Sequence, residues 1–220
     1  MNEKRTIRVT GKGNLKIKPD MTRINLVLEG MYKEYDETLR KSTESTEKLK
    51  DLLSNYGFDR SDLKTLNFDV DTSYERYEEK GVYKKRFIGY EYSHALKIEF
   101  DSDNIRLGKL IYGLAHCPQS PEFRISYTIK DEEAAKNELL ATAMKDAKEK
   151  AVILTQAAGV SLKNILSIDY SWAEMKFEVN PMEDMKYGVT CAAAECSYDL
   201  DIEPDDINLS DTVTVVWEIL

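Results

Sequence analysis

Two periodicities divide this chain. Apolar and polar residues alternate one by one in several stretches, and in three others apolar residues return every three or four positions. Alternation marks Thr6–Gly13, where Ile7 and Val9 share a face, and the short extended piece Leu15–Lys18 beyond a turn at Gly13-Asn14. It marks Met21–Tyr32, with Ile24, Leu26 and Leu28 on one side, and Leu63–Tyr77, with Leu66, Phe68, Val70 and Tyr74 together. In Phe87–Asp101 it is strict, with His94 on the apolar face and Glu91, Ser93, Lys97 and Glu99 on the other. These last two strands predict a long antiparallel hairpin with one wet face, joined by a charged connection over 75–85 that contains Gly81. Glu122–Ile129, Lys163–Trp172 and Ile207–Leu220 predict three more strands.

The helical spacing appears first from Asp36 to about Tyr56. Leu39, Leu49, Leu52 and Leu53 are its apolar positions, its middle is rich in Ser and Thr, and a loose fit on the sheet follows from that composition. A short helix starts at Asp103 or Asn104 and ends before Pro118. The longest element is predicted between Asp131, placed as an N-cap before Glu132 and Glu133, and Gly159, placed as a C-terminal stop. Leu140, Ala143, Ala147, Ala151, Leu154 and Ala158 define its buried stripe. Alanine fills little volume, so this helix can lie close against a sheet.

From Met21 to Ile129 the order is strand, helix, strand, strand, helix, strand, that of a ferredoxin-like βαββαβ unit. The predicted fold class is α+β: a mostly antiparallel sheet with long strands, covered by two shorter helices and one long alanine-rich helix. The chain of 220 residues is taken as one domain, 1–220, with an irregular loop at about 173–206.

The net charge of −9, from 40 acidic and 31 basic residues, speaks against nucleic acid as a partner. No stretch reaches the roughly 18–20 apolar residues of a membrane span, so no membrane insertion is expected. Met1–Arg5 is polar and an alternating strand begins at Ile7, which predicts a cytoplasmic protein as written, or an exported one if a leader has been removed. The cysteines, Cys117, Cys191 and Cys196, read as reduced thiols; Cys191 and Cys196 are close enough in sequence to pair in an oxidising setting.

An ordered set of features is now in place. Ile7-x-Val9-x-Gly11-x-Gly13 is followed by Pro19-Asp20 and a long strand, then by Leu52-Leu53 before Gly57. Thr65-x-x-Phe68-x-Val70 with Tyr74, Gly89-Tyr90, the alanine helix into Gly159, and a β-rich end after Ile202-x-Pro204 complete it. Together they resemble the SIMPL domain family, which includes bacterial oxidative-stress defence proteins and a periplasmic immunogenic antigen. The resemblance covers nearly the whole chain. It implies an α+β protein, and in some members assembly into large hollow oligomers. It supplies no catalytic residues to carry over.

The residues themselves give little chemistry. His94 shares a face with Tyr92 and Leu96 and reads as a hydrogen-bonded histidine rather than a base. His116 and Cys117 are adjacent, and neighbours in sequence seldom point their side chains together. Asp199-x-Asp201-x-Glu203-x-Asp205-Asp206 resembles a calcium loop, yet Pro204 replaces the needed glycine and Ser210 the closing glutamate, so a solvated acidic loop is expected. No catalytic residue, cofactor site or metal ligand is assigned. Met175, Phe177, Met182, Met185 and Tyr187, scattered among charges, form the predicted interaction surface. The reading is of a non-enzymatic homo-oligomer acting in stress physiology or as a scaffold. Its alternative is a small-molecule binder or enzyme using a cleft between the sheet and the 173–206 loop.

Overall fold

A computed structural model describes residues 5–170, 175–180 and 202–220. The elements run β1 (Thr6–Ile17), β2 (Met21–Tyr32), α1 (Tyr35–Asn55), β3 (Lys64–Glu79), β4 (Val82–Asp101) and α2 (Asn104–Ala115). They continue as β5 (Glu122–Thr128), α3 (Glu132–Ala157), β6 (Leu162–Asp169), β7 (Glu178–Val179) and β8 (Ile207–Ile219). The fold is α+β, as expected, with antiparallel sheets of three and five strands. The chain divides into two compact units, one of 1–19, 128–179 and 205–220, the other of 20–127 and 180–204.

The second unit contains the strands in the order β3-β4-β2-β5. With β2 counted as first strand this is the 4-1-3-2 order of the ferredoxin-like unit. Alternation turns Ile24, Leu26 and Leu28 of β2 and Tyr92, Leu96 and Ile98 of β4 to one face, and Leu49, Leu53, Leu107, Leu110 and Leu114 of the two helices pack there. Each such leucine contributes about 1.5–3 kcal/mol by leaving water. Asp103 caps α2, its carboxylate accepting from the backbone N–H groups of Ile105 at 2.9 Å and Arg106 at 3.0 Å. Ile202 lies buried in the same core.

Helix α1 corrects the expected loose fit. Its inward face is Thr38, Ser42, Thr46, Leu49 and Leu53, all buried. The hydroxyls of Thr38, Ser42 and Thr46 donate to the carbonyls of Glu34, Leu39 and Ser42, at 2.9 Å each. A hydroxyl satisfied within its own helix can enter the core without an unpaired group. The polar middle is therefore part of the packing.

In the first unit β8 lies between β1 and β6. Strand β1 runs unbroken through Gly11 and Gly13, which pair with Val213 and Asp211, so the expected turn at Gly13-Asn14 is absent. The glycines serve close approach instead. A Cβ on Gly11 would stand 2.1 Å from the Ala143 carbonyl oxygen, and one on Gly13 2.3 Å from that of Leu139. Helix α3 lies on β1 along the buried series Ala135, Leu139, Ala143, Ala147, Ala151 and Thr155. The spacing is a strict four. The expected Leu154 and Ala158 fall outside this series and are exposed, and Thr155 takes the last place with its hydroxyl donating to the Ala151 carbonyl at 2.8 Å. Asp146 accepts from the Lys12 backbone N–H at 2.7 Å, closing part of the outer edge of β1.

Candidate functional site

A concavity in the second unit lies between α1 and the β3-β4 pair. It encloses about 510 Å³ and is lined by Leu39, Ser42, Thr46, Lys50, Thr65, Phe68 and His94, with Thr43 and Glu47 at its rim. His94 reaches it because β4 presents its apolar face to α1, one residue in two, and Phe68 stands opposite it on β3. The two rings meet edge to face with centroids 5.1 Å apart.

Both imidazole nitrogens are engaged. Nδ1 is 3.0 Å from the Thr46 hydroxyl, and Nε2 is 2.9 Å from that of Thr65. Thr46 has given its only proton to the Ser42 carbonyl, so it accepts, and Nδ1 carries the hydrogen. In the neutral ring Nε2 then accepts from Thr65. Burial, and after it the Lys50 ammonium, hold the His94 pKa below its ordinary value. A hydroxyl–imidazole–hydroxyl chain has the outline of a nucleophile, a base and an orienting group. Here, however, a nearby cation raises the cost of the imidazolium that a base must become. Glu47 is occupied as an anion by Lys50 at 2.9 Å and by Arg60, and its pKa is lowered first by the Lys50 hydrogen bond. The cleft offers hydroxyls, a neutral ring and an apolar wall, a surface suited to holding a small polar molecule.

The other sequence-nominated groups do not converge. His116 Nδ1 is 2.8 Å from the Tyr112 carbonyl, whereas the buried Cys117 thiol donates to the Gln119 side chain at 3.1 Å. Cys191 and Cys196 lie outside the described residues. Glu203 and Asp205 are exposed and Asp206 pairs with Lys16 at 3.1 Å; among the described residues no cluster of three metal-ligating side chains is present. Of the nominated interaction residues, Phe177 is buried and Met175 half-buried in a core of the first unit built on Ile129, Leu139, Ile207 and Leu209. Thr128 donates to the Phe177 carbonyl at 2.6 Å and fixes that placement. Met182, Met185 and Tyr187 lie outside the described residues, as does most of the 173–206 loop.

A surface not singled out in the sequence is the far end of the β3-β4 hairpin. The connection expected over 75–85 is instead strand almost to its tip, closed by Lys80-Gly81, both at positive φ, as a two-residue turn of the I′ kind requires. β2 pairs with β4 only from Tyr90 onward, so residues 73–89 form a two-stranded arm. Tyr74, Tyr83 and Phe87 are 53%, 77% and 44% exposed on it. The legible signal was the run of β-favouring Tyr74, Tyr77, Val82, Tyr83 and Phe87 around a glycine; the surrounding charges concealed it.

Comparison with known proteins gives a match over residues 7–217 to the family model SIMPL, described as a protein of unknown function (DUF541). The 26 kDa periplasmic immunogenic protein of Brucella abortus (strain S19) is 27% identical over 163 residues, and its counterpart in Brucella melitensis biotype 1 is 26% identical over the same length. Each alignment takes in 74% of this chain and 65% of the relative, so the chain spans just under two thirds of those proteins. The relatives' names place them in the periplasm, which overturns the expectation of a cytoplasmic protein. Among the described residues no helix is long and apolar enough to cross a membrane.

Proposed function

The chain belongs to the SIMPL family, and from that premise we propose that it is an exported, non-enzymatic protein that works by associating with copies of itself, as a scaffold in envelope or stress physiology. The observation that carries this reading is the arm over 73–89. A two-stranded ribbon is marginal in water by itself, and this one exposes Tyr83 and Phe87 without a third strand beside it. Burial of those rings in a neighbour supplies what the ribbon lacks. The Brucella relatives' periplasmic names support export. Light scattering on a sizing column is the test. A discrete oligomer that shrinks when 74–87 is replaced by an Asn-Gly turn agrees with the reading; a monomer at tens of micromolar refutes it.

A second reading rests on the cleft at His94, whose volume of about 510 Å³ is in the range of small-molecule sites. In that reading the protein is a binder of small polar metabolites. A saturable thermal shift with one metabolite, lost in Thr46→Val, supports it; no shift across a broad metabolite set counts against it.

A further inference from the structure

The β3-β4 hairpin sets like charges directly opposite each other at three places, an arrangement that costs stability when nothing offsets it. At Lys64 opposite Lys97, Glu99 lies 3.0 Å from Lys97, and the other two have no such counter-charge. Arg76 pairs with Lys85 on the arm, and Asp71 pairs with Glu91 nearer the sheet. The two pairs are on opposite faces. Along β3, residues 70, 72, 74 and 76 follow Val70 to the face that the helices cover, whereas 69 and 71 point to the other. In β4 the extra residue Ile88 restores the match, so that Phe87 and Lys85 stay with Tyr74 and Arg76. The rings agree: Tyr74, Phe87 and Tyr90 form an edge-to-face series at 5.8 and 5.3 Å.

The other charges of the hairpin are matched only in part, since Lys64, Glu78 and Lys80 also make no ion pair among the described residues. On the arm's other face Lys84 pairs with Glu79 at 2.5 Å and Arg86 with Glu75. At the far end of the open sheet face Glu99 is held by Arg23 at 2.6 Å and Lys97 at 3.0 Å. Arg76 and Lys85, by contrast, make no ion pair among the described residues, and neither do Asp71, Glu91 or their neighbours Asp69 and Glu29. Asp69 flanks Asp71 on β3, and Glu29 lies across Ser93 on β2. The cations cannot reach these carboxylates within one chain, because the hairpin itself separates them. Residues 74–87 carry five cations and three carboxylates, a net +2 that leaves −11 on the rest of a −9 chain.

We propose that the Arg76/Lys85 face of the arm docks on the Asp69/Asp71/Glu91/Glu29 face of a second copy of this chain. This rests on the self-association proposed above and names its chemistry. The aromatic rings flanking the cations supply the apolar contact, and the charges set register and partner choice. A membrane is the less favoured occupant, since an anionic surface would repel the −11 remainder.

The test is a charge exchange read by the dissociation constant and mass of the full chain. Arg76→Glu/Lys85→Glu and, separately, Asp71→Lys/Glu91→Lys are each expected to weaken association by at least about tenfold. The quadruple variant, with both pairs exchanged, is expected to recover it, which a merely misfolded surface could not do. Added salt should weaken the wild type and the quadruple variant alike. A wild-type oligomer unaffected by either reversal, or a quadruple variant no better than the doubles, overturns this docking while leaving self-association intact. A monomeric wild type sinks both.

Discussion

Gly11→Ala tests the close approach of α3 to β1. The added methyl would stand 2.1 Å from the Ala143 carbonyl oxygen, 2.4 Å from the Ala147 nitrogen and 2.6 Å from the Ala147 methyl. Ordinary contact begins at 3.4 Å, so helix and strand must separate by about 1.3 Å at this point. A gap of ~0.5–1 Å already forfeits a quarter to a half of a dispersion contact, and the stripe from Ala135 to Thr155 is buried along its length. Overpacking costs about 1–3 kcal/mol where neighbours can yield; here two of the three nearest atoms are helix backbone, so about 3 kcal/mol or more is expected. For a chain of this size that is a fall in Tm of roughly 6–12 °C. Thermal melting by circular dichroism measures it. Adding Ala147→Gly should rescue little, because the backbone oxygen stays where it is. A Gly11→Ala protein melting within about 2 °C of wild type, or full rescue by Ala147→Gly, would refute the close approach.

Other expectations follow from the same geometry. Ala147→Glu places a carboxylate at a fully buried position and should unfold the first unit or lower its Tm by well over 10 °C, about the effect of an unpaired buried charge; an unchanged melt would mean the face is open. Asp103→Ala removes the cap of α2 and should cost about 1 kcal/mol in urea unfolding. For His94 the folded pKa lies below the unfolded value, so the unfolded chain binds the proton more readily. Its contribution to stability is then present above the ordinary histidine range and falls as pH drops through it. His94→Gln should flatten that part of the stability–pH curve, as chemical denaturation at several pH values would reveal.

Much of the architecture was legible because each strand buries one face. Alternation in β2 and β4 located the core side of each, and the strand–helix order from Met21 to Ile129 pointed to the ferredoxin-like unit that the strand order bears out. The failures share a cause: a residue type has more than one use. Gly13 read as part of a turn since sequence alone cannot separate a need for positive φ from a need for no side chain. Ser42 and Thr46, in the polar middle of α1, read as the sign of a loose fit, although hydroxyls that bond to their own helix are as easily buried. Phe177 read as a contact residue and is instead taken up by the chain's own core. The cleft at His94 was invisible, because Thr46 and Thr65 meet the ring only after α1 has crossed the sheet.

The hydroxyls of Thr10 and Thr214 touch at 2.8 Å across 204 positions of sequence. They belong to β1 and β8, and β8 is the middle strand of its sheet. At ribosomal rates of roughly 5–20 residues per second, β1 waits roughly 10–40 s for its partner. The second unit takes residues 20–127 in one continuous run, and most of it can close during that interval. Ile7 and Val9, with the whole hydrogen-bonding edge of their strand, stay unmatched meanwhile. The newborn chain therefore passes through a half-built stage, and its safest course is to be held extended until β8 emerges.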